Sequence, residues 1–298
     1  MMNSHEDVEF TTIDGLTIRG WLYPAASRGP AVIITPGFNC VKEMFVPQVA
    51  EQFQLANITA LIYDPRSLGL SDGLPRNNID PAMQASDYSD ACTYLRTLPI
   101  VDPSQIIFWG MSFAATIAMC AASLDKRARG CIAICPLLDF EYTPEKFPKV
   151  MARSMRDRES RLAGNDPIYL PVLTENGENP AGMGIGADKE EFDYMVNAKR
   201  LGAPRHENRT TLQSYYKIVT WQPHGVMKYM HQTPVFMVVP EKDMISPPEQ
   251  QISLFKTFPS NRNKVYIAPG KGHLNVLSGE EFPALSKMQA DYVREILA

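Results

Sequence analysis

Excess charge, long apolar runs and ligand-spaced cysteine–histidine pairs are all scarce in this chain of 298 residues. Its net charge of −4 leaves no basic footprint for nucleic acid or an anionic membrane. No apolar run reaches the ~20 residues that a bilayer-spanning helix needs. The opening "MMNSHEDVEF" is polar and acidic, without a basic stretch or an apolar one, so no signal peptide and a cytoplasmic location are expected. Cysteine is sparse and odd in number: Cys40, Cys92, Cys120, Cys131 and Cys135. Most lie in apolar runs, which reads as reduced, buried thiols and not as a disulfide framework. No His/Cys/carboxylate cluster has metal-ligand spacing, so neither a metal nor another cofactor is expected. His5, His206 and His231 have no partner pattern, and internal repeats and low-complexity tracts are absent.

What the chain does have is a regular alternation. "VEFTTIDGLTIRGWLYPA" alternates around Asp14-Gly15, a hairpin signal. "AVIITPG" is a continuous β-branched run of the kind found in a strand covered on both faces, "ITALIYDP" reads as another buried strand, and "QIIFWG", "GCIAICP", "VFMVVP" and "KVYIAPG" as four more short apolar strands. Helical patterns lie between most of them. One, "DPAMQASDYSDACTYLRTLP", starts with Asp80 as N-cap before Pro81. Strands alternating with helices predict an α/β fold with a mostly parallel central sheet.

The rhythm breaks once. Residues 137–233 hold no strong strand. They hold a charged helix in "PEKFPKVMARSMRDRESRLAG", a Gly/Pro/Asn-rich loop in "TENGENPAGMGIGADKE", and helical patterns at "KEEFDYMVNAKRL" and "TTLQSYYKIVTW". An insertion of this length needs structure of its own. We expect a mostly helical cap at residues 137–233 over the carboxyl edge of a core formed by residues 1–136 and 234–298. That edge is where open α/β sheets bind ligands.

The chemistry-bearing constellation begins at "QIIFWGMSFAATIAMC". It reads as strand, sharp turn and helix with Ser112 at the turn, the context of a nucleophile elbow. The elbow pattern G-x-S-x-G is incomplete here, because Ala114 replaces the last glycine. Gly110 is required where a side chain would crowd the turn. A serine at this place could also simply cap a helix. The order of partners decides between the two. An acid and then a histidine should follow, and Asp243 in "VVPEKDMISPPEQ" and His273 in "IAPGKGHLNVL" come after the right strands. Asp243 is preferred over Asp139 and Glu241 as the acid. The oxyanion requires two backbone donors. Phe113 N–H follows the serine, and Phe38 N–H in "TPGFNC" follows an earlier strand. Cys40 lies close enough to line the pocket. Tyr215, Tyr216, Trp221 and His224 of the insertion are candidates for substrate contact or for the insertion's own core, with no basis in sequence to choose. Asp64, Arg66 and Asp72 in "YDPRSLGLSDG" read as structural support for the loops beneath the site.

The elbow, the Ser…Asp…His order and the strand sequence resemble the α/β-hydrolase superfamily over nearly the whole chain. "ITPGFNCVKEMFVPQVAEQF", "LIYDPRSLGLSDGLPRNNIDP" and "VDPSQIIFWGMSFAA" resemble the fungal polyketide-transferase family. The resemblance implies an α/β-hydrolase fold and a triad of Ser112, Asp243 and His273. It implies a hydrolase, thiohydrolase or acyltransferase of secondary metabolism, acting on a polyketide ester or thioester that is free or carrier-bound. A polyketide synthase is then the expected kind of partner, and a homodimer is allowed. The alternative expectation is a condensation or cyclisation catalyst using the same site.

Overall fold

A computed structural model describes residues 5–138, 142–181 and 189–298. Asp139, weighed above as an alternative acid, and residues 182–188 of the glycine-rich loop lie outside them. The element order is β1 (Glu6–Thr11), β2 (Thr17–Tyr23), β3 (Gly29–Thr35), α1 (Pro47–Leu55), β4 (Thr59–Tyr63), α2 (Pro81–Leu95), β5 (Val101–Met111), α3 (Phe113–Leu124) and β6 (Ala128–Ile134). The insertion follows as α4 (Phe147–Leu162), β7 (Tyr169–Leu170), α5 (Lys189–Asn197), β8 (Thr210–Thr211), α6 (Leu212–Thr220) and α7 (Pro223–Met227). The chain then returns to the sheet with β9 (Val235–Pro240), α8 (Pro248–Phe255), β10 (Lys264–Ala268) and α9 (Phe282–Leu297).

The main sheet has 8 strands in the order β1-β2-β4-β3-β5-β6-β9-β10. β1 and β2 form the antiparallel hairpin, and β2 meets β4 antiparallel. From β4 to β10 every pairing is parallel. The fully buried strands β4 and β9 explain their unbroken apolar sequences, because helices cover both faces. β10 differs from these two. It is an edge strand, and Val265 and Ile267 are largely exposed.

Two apolar layers flank the sheet. Val49 and Phe53 of α1 pack with Leu285 and Val293 of α9 on one face. On the other, Tyr88 of α2 and Ile117 of α3 share a cluster with Val150, Leu212 and Ile218 of the insertion. The buried residues of the insertion therefore extend the core of that face. The insertion also contains the short β7–β8 pair, with Tyr169 opposite Thr211, where the sequence showed no strand. At α2, the Asp80 carboxylate accepts from Met83 N–H at 3.2 Å, with Pro81 in the first turn. All five cysteines are free and buried. Among the described residues no helix is long and apolar enough to cross a membrane.

Candidate active site

The strand order brings the ends of β3, β5, β6, β9 and β10 side by side, and each contributes to one site. Ser112 follows β5 and caps α3 with φ 57° and ψ −124°, a left-handed backbone that a non-glycine residue adopts only under constraint. The turn is tight enough to demand Gly110. A Cβ there would stand 2.2 Å from the Ala114 carbonyl oxygen. Ala114 itself is buried without displacing the helix, so the missing glycine of the motif leaves the elbow intact.

Ser112 Oγ lies 2.7 Å from His273 Nε2. His273 Nδ1 lies 2.8 Å from Asp243 Oδ2 and 3.0 Å from Oδ1. In the tautomer that fits, Nδ1–H donates to the carboxylate and Nε2 accepts from the serine hydroxyl. The carboxylate is held in turn by Ile245 N–H at 2.9 Å, Ser246 N–H at 2.8 Å and Gln251 Nε2 at 3.1 Å. Burial works against a charged His273 imidazole, while Cys135 and Asp243 work for it, and the net direction is upward from the ordinary value. Burial pushes the Cys135 thiol up as well, so it stays protonated and uncharged near neutrality. The Asp243 carboxylate, through its hydrogen bond and its charge, raises the basicity of His273 against the burial that lowers it.

The segment leaving β6 meets Ser112 and His273 directly and Asp243 through Ser246. Ile134 carbonyl accepts from Ser112 N–H at 2.8 Å, and Leu137 N–H donates to Ser112 carbonyl at 3.1 Å. Cys135, at φ 40°, aims its thiol at the His273 carbonyl, 3.6 Å away. Pro136 carbonyl accepts from Ser246 Oγ at 2.6 Å. The coordinating atoms of Cys135, Asp243 and His273 lie within 4.8 Å of one another. No spacing in the sequence announced this, because the three residues come from different strands.

The loop after β3 closes the other side. A Cβ on Gly37 would come within 3.3 Å of Ser112 Cβ, so glycine sets this close approach. Phe38 follows, and its ring meets that of Phe113 edge to face at 5.2 Å. Phe113 is the first residue of α3, placing its amide at the helix N-terminus beside Ser112. Lys42, which sequence reasoning passed over, fixes this loop. It is buried, its N–H donates to Asp64 Oδ1 at 2.8 Å, and its ammonium to Oδ2 at 3.0 Å. Gly69 makes room for that carboxylate, since a Cβ there would lie 2.3 Å from it. Arg66 and Asp72 act elsewhere. Arg66 bridges Asp87 and Asp14, and Asp72 pairs with Arg19.

Ser112 and His273 open into a cavity of about 110 Å³, lined also by Phe38, Cys40, Leu137 and Ile245. Burial pushes the Cys40 thiol up to about 12, so it is an inert wall. Trp221 and His224 lie instead on a larger neighbouring groove of about 1000 Å³. Tyr215 is fully buried in the insertion, where its hydroxyl accepts from Asn179 at 3.1 Å. Tyr216, half-buried on α6, lines neither the cavity nor the groove. Of the other histidines, His5 stacks on Trp21 at 4.2 Å, and burial pushes the buried His206 down to about 4.

The arrangement can transfer a proton from a hydroxyl to a buried imidazole and hold the resulting charge against a carboxylate. The profile of the alpha/beta hydrolase fold family matches residues 30–280. Over 97% of this chain and 94% of its own length, a protein named "Thiohydrolase" from Eupenicillium brefeldianum is 63% identical. "Polyketide transferase ATR5" from Stachybotrys chlorohalonatus is 45% identical over 99% of this chain and 98% of its own. The solved structure of DcsB in complex with a substrate analogue superposes with a TM-score of 0.93, at 45% identity, covering 98% of this chain and 99% of that one.

Proposed function

The chain belongs to the α/β hydrolase fold family and is an enzyme of hydrolase or transferase type, and we propose that within it Ser112 carries acyl groups from a polyketide-derived ester or thioester. The observation that supports this most is the unbroken relay from Ser112 Oγ through His273, at 2.7 Å, to Asp243, at 2.8 Å. Relatives named thiohydrolase and polyketide transferase support the substrate class.

His273 Nε2 takes the Ser112 proton as Oγ attacks the acyl carbonyl. The N–H groups of Phe38 and Phe113 donate to the oxyanion. Collapse of the tetrahedral intermediate breaks the carbonyl–sulfur or carbonyl–oxygen bond. The leaving thiol or alcohol receives the proton from the His273 imidazolium, and an acyl-serine remains. Water, an alcohol or an amine then attacks the acyl-serine, with His273 again the base. Water is the default acceptor, in keeping with the name "Thiohydrolase" of the 63% identical relative, while the name "transferase" of others supports an alcohol or amine. The insertion serves as the cap that shields the acyl-serine. Five free, buried thiols fit a reducing compartment and support a cytoplasmic location.

A fluorophosphonate should add its mass to Ser112 and to nothing in Ser112→Ala, read by intact and peptide mass spectrometry. Ser112→Ala should lose turnover of acyl thioesters by about a thousandfold or more. Retained turnover in that variant, with no labelled serine in the wild type, would sink the acyl-serine and favour a condensation or cyclisation at the same site.

A further inference from the structure

α4 is the electrostatic outlier of this molecule. From Lys146 to Leu162 six basic side chains stand against two acidic ones, a net of +4 on a chain whose total is −4. Lys146, Lys149, Arg153 and Arg156 are all exposed. They recur at i, i+3, i+7 and i+10, which places them along one flank of the helix, a stripe of about 15 Å. The inward residues Val150, Ser154 and Asp157 are buried, and Gln213 Nε2 donates to the Asp157 carboxylate at 2.7 Å. That acid is therefore used inside the fold. Glu145 and Glu159 are the exposed acids nearby in the chain.

None of the four stripe cations enters an ion pair or a side-chain hydrogen bond among the described residues. Several other surface cations are matched. Arg19 pairs with Asp72, Arg127 with Asp125, Lys264 with Glu295 and Lys271 with Glu281. Arg28, Arg129, Lys242 and Lys256 are exposed and, like the stripe, without an ion pair among the described residues; α4 differs in aligning four such cations along one flank. An unmatched basic stripe on an otherwise acidic protein is a field available to an acidic partner.

The stripe begins at the mouth of the 1000 Å³ groove. Pro144 and Phe147, on either side of Lys146, line that groove together with Trp221, Ser253 and Thr257. The groove ends against the wall of the Ser112 cavity. Leu138 lines the groove and its neighbour Leu137 lines the cavity. The Trp221 ring meets that of Phe113, the residue after Ser112, at 5.8 Å. The cavity alone, about 110 Å³, is smaller than the ~300 Å³ lower bound for sites that enclose a sizeable ligand. A long acyl chain on a flexible arm needs room beyond the cavity, and two hollows adjoin it: this groove, beside which the basic stripe stands, and one of about 410 Å³ that shares Phe45 and Leu274 with the cavity's lining.

We propose that the α4 stripe docks an acidic carrier domain, and that the groove receives the flexible arm bearing the acyl group as a thioester. This rests on the acyl-serine reading above and adds the partner to it. A lipid surface is disfavoured by the polar residues Glu249, Gln250, Ser253 and Thr257 in the groove's lining.

The test uses the full chain and two probes. One is a stand-alone, negatively charged acyl carrier domain with an octanoyl group on its phosphopantetheine arm. The other is the octanoyl thioester of N-acetylcysteamine. The charge-reversed triple variant Lys149→Glu, Arg153→Glu, Arg156→Glu is compared with Arg129→Glu, which alters an exposed cation on β6 at the sheet's opposite end. Circular dichroism checks folding. The triple variant should lose at least about tenfold in kcat/KM on the carrier-bound probe, and that rate should lose its fall with salt. Turnover of the small thioester should stay within about twofold, and Arg129→Glu should alter neither. Equal losses on both probes, or none on the carrier, overturns the proposal. Direct titration of the wild type with the carrier domain separates docking from chemistry. Binding abolished by the triple variant supports docking even if no thioester is cleaved, a result that would sink only the acyl-serine reading. No wild-type binding overturns docking. Binding to phosphatidylserine vesicles that the triple variant loses, with the carrier rate untouched, overturns it in favour of a membrane.

Discussion

On the sheet side of the Ser112 cavity, every functional side chain hangs from a strand end and is tied to its neighbours through backbone groups. Ser112 is held by Ile134 and Leu137, Asp243 by Ile245 and Ser246, and the Phe38 loop by the buried Lys42–Asp64 pair. On the insertion side the polar bonds hold the insertion together, as with Gln213 to Asp157, and fasten it to the core, as with Ser214 to Ile79 and Lys217 to Asp80. The groove there is wide, and the cations of α4 are unmatched. The difference teaches that one side fixes a reaction geometry, while the other presents surface to whatever arrives. Substitutions on the sheet side should therefore change kcat or stability. Those on the insertion side should change KM or partner choice.

The largest expected break is Asp243→Asn. It removes the charge that stabilises the imidazolium and allows the wrong tautomer, and kcat should fall by about 10⁴. Because the carboxylate raises the His273 pKa, its loss lowers that pKa. The ascending limb of kcat/KM against pH should then move to lower pH. A limb that stays in place would mean that Asp243 does not set His273 basicity. The same linkage bears on stability. With its folded pKa raised above the unfolded value, His273 stabilises fully below about 6.5. That contribution is lost as pH rises through the folded value. A Ser112→Ala protein, which leaves the pair in place, should reveal it in urea midpoints measured across pH.

Next in size is Lys42→Met. It leaves the Asp64 carboxylate buried without its cation, at a cost of about 3–5 kcal/mol, read from urea unfolding. A loss below 1 kcal/mol would show that the pair is not what holds the Phe38 loop. Ser246→Ala cuts the bond to Pro136 that joins the Asp243 turn to the β6 exit. It should lower kcat several-fold, in keeping with about 1 kcal/mol for one hydrogen bond, with KM unchanged. On the insertion side, Trp221→Ala should raise KM for long acyl thioesters by several-fold and leave kcat within twofold. A kcat effect equal to that of Ser246→Ala would erase the contrast between the two sides. Smallest of all, Tyr215→Phe should cost about 1 kcal/mol of stability and leave turnover unchanged, because its hydroxyl bonds within the insertion, to Asn179.

Much of this was legible in the chain. The alternation of buried runs and helices gave the parallel sheet, since a strand covered on both faces has no polar side to show. Strand–turn–helix context singled out Ser112, and chain order singled out Asp243 and His273. Local signals of this kind survive in sequence because they need only neighbours. The run that forms β10 gave the strand but not its place, because its apolar residues do not say that it lies at an edge. The β7–β8 pair was invisible at two residues per strand.

By itself, then, the sequence determined the strands, the helix starts at Asp80 and Ser112, and the candidates for the chemistry. These follow from local sterics, capping and the period of apolar residues. Only the tertiary structure decided which strand ends meet. That placed the β6 exit between Ser112 and Asp243, set Cys135 behind His273, paired Lys42 with Asp64, and left the α4 cations facing outward beside a groove. Those relations depend on contacts between residues far apart in the chain, and neither composition nor spacing encodes them.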